Sequence, residues 1–310
     1  MTIAFKRSTR VAGFFLLMAL ACSQGAAQER GQYLPGFRGL NASEQPPPGF
    51  TYANYFFWYP TDTFKNRDGD KAPIDFSLDL LADVNLFVYT PKAKVLGGTY
   101  AISAAVPILN TPVTLPRIDA DIGGVGLGDV YIEPLSLGWK LSKGNARVAY
   151  GFVAPTGRFN EGATDNTTSD YWGHQITIGG TINPEKTKLW QIALSSVWEF
   201  HHKKRHEDVR VGNNVTFEYG VGKTFVKNQG KQLLQLGLVG YSEFQLADDK
   251  GTDVTPLNAG ANDRTFAFGP EFGVILPAQK FNFLIRVLPE FASRSRTQGV
   301  TLVVAFGKSF

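Results

Sequence analysis

Asp75, Asp79 and Asp83 recur at every fourth residue of the stretch IDFSLDLLADVNLFVY, residues 74–89. Between them Ile74, Phe76, Leu78, Leu80, Ala82, Val84, Leu86 and Val88 hold every second position. Successive side chains of a strand point to opposite faces, so one face of this strand would be apolar and the other would carry a row of carboxylates. Lining a passage, such a row favours cations and discourages anions, or its members pair across strands and simply fill space. The same polar parity, followed along the chain, collects Asp129, Glu133, Glu199, Glu218, Glu243, Glu271 and Glu290, with Arg147 and Arg286 against them. Tyr52, Phe56, Trp58, Phe87, Tyr131 and Tyr241 are candidates for an aromatic lining beside these charges, which is how an apolar or aromatic solute is held.

Other reactive residue types form no signature. His201, His202 and His206 fall at one strand end and the loop after it, without the converging ligands and supporting shell of a metal site. NRDGDKA places Asp68 and Asp70 about Gly69 but lacks the remaining spacing of a calcium loop. GGVGLGD, residues 123–129, has the glycines of a nucleotide loop without the strand and helix that such a loop joins. His174 and Ser196 share the apolar parity, where a lipolytic barrel would need them, but sit in no recognisable motif. No metal, cofactor or catalytic residue is expected. The net charge of +4 is spread out, with no dense basic cluster beyond HHKKRH, which argues against nucleic-acid binding.

The elements that position these residues are strands. From Phe50 onward twelve alternating segments start near Phe50, Ile74, Gly98, Gly128, Asn145, Tyr171, Leu189, Asn214, Lys231, Thr265, Lys280 and Gly299. Short turns such as LSKGN and PAQK interleave with long polar loops such as TGRFNEGATDNTTSD. That plan is an all-β, antiparallel up-and-down transmembrane barrel of about twelve strands. Only a closed barrel satisfies its backbone in a bilayer around a polar interior, so the apolar parity is expected to face lipid and the acidic parity the lumen. GDVYIEPLSLGWKL breaks phase, and a β-bulge at Pro134 would repair it.

Residues 1–27 read as a secretory signal peptide: Lys6, Arg7 and Arg10 precede an apolar run of twelve from Val11 to Cys22, and Gly25-Ala26-Ala27 offers a cleavage site. ALAC faintly resembles a lipoprotein box, with Ala19 where a larger aliphatic residue is usual. The only cysteine is Cys22, so a mature chain would hold no disulfide. Residues 28–48, rich in proline and glycine, form a candidate plug at or against the periplasmic mouth, ahead of a barrel over residues 49–310. The terminal Phe310, after alternating Leu302, Val304 and Phe306, resembles the signal read by barrel-assembly machinery.

The stretches PPPGFTYANYFFWYPTD, GLGDVYIEPLSLGWK, VAYGFVAPTGRFNEG, DYWGHQITIGGTI and the ending GKSF closely resemble the outer-membrane family named for the meta-pathway of phenol degradation. The resemblance covers nearly all of the chain after residue 27, and its motifs are structural. It implies a Gram-negative outer-membrane channel, in contact with lipid, that admits small hydrophobic or aromatic solutes passively. The acidic lumen read above suits neutral phenols, hydrocarbons or amines better than aromatic acids. A structural or adhesive barrel with partner-binding loops is the alternative, and a lipolytic barrel the third reading.

Overall fold

In a bilayer a strand must hand every backbone donor and acceptor to a neighbour, which a ring of strands achieves and an open sheet does not. In the computed structural model, which describes residues 31–161, 163–254 and 260–310, the chain forms such a ring. Its strands are β1 Gly49–Thr61, β2 Ser77–Thr90, β3 Gly98–Asn110, β4 Val130–Leu141, β5 Gly144–Ala154 and β6 Gly173–Ile182, followed by β7 Trp190–His201, β8 Asn214–Lys227, β9 Gln232–Gln245, β10 Arg264–Leu276, β11 Phe281–Arg294 and β12 Val300–Ser309. Neighbours pair antiparallel, and β12 closes on β1 with Thr51 opposite Ser309 and Trp58 opposite Leu302. Each strand begins within three residues of the position expected from the sequence. The signal-peptide reading, residues 1–27, and residues 28–30 lie outside the described residues.

Short turns close one end of the barrel. The other end carries longer loops with their own small ladders, such as Phe64–Lys65 against Arg296–Thr297. One exposed loop tie is electrostatic: Lys203 and Thr252 hydrogen-bond the carboxylate of Asp208 and hold it down at about 2. The bulge lies where β4 needs it. Opposite Tyr150 and Phe152 of β5 stand Leu135 and Ile132, so β4 fits one extra residue across Glu133 and Pro134. Tyr131 and Glu133 before the bulge and Ser136 after it therefore all turn inward.

The apolar parity faces outward over β5 to β11, where Val148, Ile178, Leu194, Leu238 and Phe272 are exposed. In β1 and β2 the expectation is corrected. Phe76, Leu78, Ala82, Val84 and Val88 are buried inside the barrel, and Phe57 joins Ala82, Val84, Ala105, Leu284 and Val303 in one interior cluster. Asp75, Asp79 and Asp83 therefore point outward, as do Tyr52, Phe56, Trp58 and Phe87. The physical reason is that the interior here is not water: Leu34 and Phe37 of the N-terminal segment pack on this cluster. The outward polar groups satisfy one another, Asn54 with Asp83, Tyr52 with Asn85 at 2.7 Å and Trp58 with Asp79 at 3.3 Å, which lowers the cost of carrying them on that face.

The phase of β2 has a direct test. With single cysteines carrying a fluorescent probe, brominated lipid should quench Asn85→Cys and spare Val84→Cys; quenching of the second alone would return the strand to the opposite phase.

Candidate functional site in the barrel interior

Residues 31–48 run through the interior. Gln32 bonds Ser169 and Tyr171 near the outer end of the barrel, Gln45 bonds Ser136 further in, and the chain then enters β1 at the inner end. The segment thus extends well beyond the periplasmic mouth expected for it. It has little secondary structure of its own, a single turn at Gly39–Asn41. Its backbone groups must find partners in the wall, because buried unpaired N–H groups are costly.

They find carboxylates. Glu218, on β8 and 2% exposed, accepts five hydrogen bonds: from the Tyr33 hydroxyl at 2.6 Å and from the backbone N–H groups of Gly36, Phe37, Arg38 and Gly39 at 2.9–3.2 Å. Successive N–H groups aimed at one anion form a nest. The turn that makes it needs left-handed backbone at Gly36 (φ 90°) and Gly39 (φ 55°), where glycine costs least. Glu199 on β7 accepts the N–H groups of Gln32 and Tyr33 at 2.8 and 2.9 Å. On the carbonyl side Arg286 of β11, itself paired with Glu271 of β10, donates to Gly36 and Phe37 at 2.7 and 3.0 Å and to Arg38 at 3.1 Å. Removing one partner of a pair this deeply buried costs about 3–5 kcal/mol.

Leu40 anchors the segment by shape. It lies 1% exposed against Gly220, Gly222 and Gly237, and a Cβ on Gly222 would come within 2.5 Å of its side chain. Fully burying a leucine contributes roughly 1.5–3 kcal/mol.

The remaining candidates serve the wall. Glu133 pairs with Arg147 and accepts from Tyr131. Glu243 pairs with Arg296, and Glu290 accepts from Tyr59 and Tyr241. Asp129 gathers Gly157, Thr168 and Ser169 of the outer loop. His174 contacts Tyr150 and His202, and Ser196 contacts Trp198, so these two are not brought together. His206 meets Asp170. Among the described residues no three potential ligands converge on a metal position. Arg38 and Arg296 were not legible as interior residues, since one precedes the first strand and the other follows a left-handed residue, Ser295, that ends the alternation of β11.

With the carboxylates of Glu199, Glu218 and Glu271 turned to the segment, the open space lies against the opposite wall. A cavity of about 810 Å³ runs between the segment and β1 to β4, from Thr168 and Ser169 down to Lys280 and Ser309. Its charged lining is Arg38, Arg147, Lys280 and Arg286 against Glu44, Asp129 and Glu133. A second cavity of about 220 Å³ sits nearer the outer loops, among Phe64, Phe76, Leu78 and Ile122. The two share Tyr33, Leu34, Leu80, Thr111 and Asn166 on their walls. The acidic passage read from the sequence is thus corrected: Glu199, Glu218 and Glu271 bind the segment, Glu133, Glu243 and Glu290 pair within the wall, Asp129 holds a loop, Asp75, Asp79 and Asp83 point outward, and the free surface is largely apolar.

Residues 61–306 match the protein family described as "Putative MetA-pathway of phenol degradation". The chain belongs to this family. No curated protein matches the sequence. Among solved structures, the COG4313 outer membrane channel from Pseudomonas putida F1 is similar with a TM-score of 0.72 at 15% identity, over 90% of this chain and 100% of that one. The beta domain of the Bordetella autotransporter BrkA is similar with a TM-score of 0.52 at 10% identity, over 85% and 100%. At such identities the likeness is one of fold. The family member described here is a twelve-stranded barrel of the bacterial outer membrane.

Gly222→Val should unseat Leu40 and loosen the segment. Added trypsin should then cut after Arg38, and single-channel conductance in planar bilayers should rise several-fold; an uncut segment at unchanged conductance would contradict the anchoring role of Leu40.

Proposed function

We propose that the barrel is a passive channel for small hydrophobic or aromatic compounds, and that it carries out no chemistry on them. The observation that carries this reading is the pair of cavities with shared walls, apolar over most of their surface and long enough to join the outer loops to the inner turns. Aromatic side chains line the path: Phe37 stacks on Tyr55 at 4.1 Å between ring centroids, with Phe57 6.2 Å from Phe37. An apolar solute loses little in such a space, while a sugar or a hydrated ion gives up hydration that few wall groups replace. The family description and the fold of the Pseudomonas channel point the same way.

In this reading the N-terminal segment is a plug that narrows a lumen otherwise wide enough for water and ions. Of the interior charges, Glu199, Glu218, Glu271 and Arg286 hold the plug, and Glu133, Arg147, Glu243 and Glu290 brace the wall around it. Assembly recognition belongs to Phe310, which lies exposed at the seam with its ring 6.1 Å from Phe50.

Reconstituted in planar bilayers, the protein should pass a small ion current that millimolar benzyl alcohol blocks and that xylitol at equal concentration leaves within twofold. Deleting residues 32–47 should raise the current and abolish the aromatic block. Equal block by both solutes would remove the aromatic path from consideration.

A further inference from the structure

We propose that Arg38, carried into the lumen by the N-terminal segment, is the recognition group for an anionic oxygen on an aromatic solute, a carboxylate or an ionised phenol, so that the path prefers aromatic anions to aromatic cations. The proposal rests on the channel reading above and assigns a polar locus within it.

Four cationic side chains line the large cavity, and three have other duties or other places. Arg147 is neutralised by Glu133 and also donates to Ser136. Arg286 is neutralised by Glu271 and donates to three carbonyl groups of the segment. Lys280 sits in the turn between β10 and β11, at the inner end. Arg38 differs. Its guanidinium makes one hydrogen bond, from Nη2 to the Thr177 hydroxyl at 3.1 Å, and its Nε is buried with no partner. Among the described residues no carboxylate lies within ion-pair distance of it. The nearby acids are occupied: Glu133 by Arg147, and Glu218 by the nest of backbone N–H groups that includes that of Arg38 itself.

A guanidinium with unused donors on a cavity wall loses hydration without recovering it from the protein, and a planar carboxylate that accepts two of those donors returns it. The neighbouring residue, Phe37, supplies the other half of the match. Its ring, stacked on Tyr55, lines the same cavity, as does Tyr131. A single aromatic ring can lie along these faces while its acidic oxygen meets Arg38. A guanidinium without a carboxylate partner on a mostly apolar wall also suits conduction, because one charged contact detains a solute without trapping it.

The test is equilibrium dialysis of the full-length protein in detergent against labelled benzoate, benzyl alcohol and benzylammonium at pH 7.5. The wild type should bind benzoate about tenfold more tightly than benzyl alcohol, and benzylammonium more weakly than either. Arg38→Gln should lower benzoate affinity about tenfold while moving benzyl alcohol less than twofold, and Arg38→Lys should recover part of the loss. Should Arg38→Gln fail to give a heat-modifiable barrel, Thr177→Val, which removes only the tether of the guanidinium, should weaken benzoate and spare benzyl alcohol. Benzylammonium bound as tightly as benzoate, or equal weakening of benzoate and benzyl alcohol by Arg38→Gln, overturns the proposal and leaves the channel reading intact. A wild-type protein that binds none of the three overturns both.

Discussion

The carboxylate of Glu218 decides what the interior of this barrel is. A buried carboxylate needs donors, and an irregular segment needs acceptors for its N–H groups. Here each meets the need of the other, four backbone N–H groups and one phenol against two oxygens. Arg286 does the complementary work for the carbonyl groups, with Glu271 balancing its charge. The result is a stretch without regular secondary structure held inside a membrane-spanning ring, an arrangement tolerated only where protein surrounds the backbone.

The sidedness of the lumen follows. The buried charged partners lie on β7, β8, β10 and β11, so residues 32–40 are drawn toward that wall and the apolar side chains Leu34 and Phe37 face the other. That other wall answers with Phe57, Ala82, Val84 and Ala105. Two different chemistries thus share one ring: an acidic half turned to the segment and a greasy half that faces the open path.

The ring itself was legible in the sequence, because period-two alternation and the rhythm of short and long connections are properties of single segments. Glu199, Glu218, Glu271 and Arg286 were likewise legible as one parity, since their strands alternate against clear apolar partners, and Glu133 once the bulge at Pro134 is allowed for. The inversion of β1 and β2 was not. Ile74 to Val88 is an apolar row whether it meets lipid or the side chains of a segment some forty residues earlier, and local pattern does not distinguish the two. The signal was present elsewhere: Leu34, Phe37 and Leu40 need an apolar surface to rest on, and some strand had to offer one inward. Arg38 could not have been placed from its own surroundings at all, since its position depends on Glu218, 180 residues away.

That separation orders the assembly of the molecule in time. The groups that hold residues 32–40 come from the loop before β6 and from β6, β7, β8, β10 and β11, and the distances along the chain run from 137 to 250 residues. Contacts so remote form late, after the intervening chain has been brought together. Residues 32–40 therefore gain their full set of partners only when β6 to β11 have come together, so the order of the segment depends on the part of the chain that follows it. The most irregular stretch of the barrel is thus one whose order rests on contacts remote along the chain.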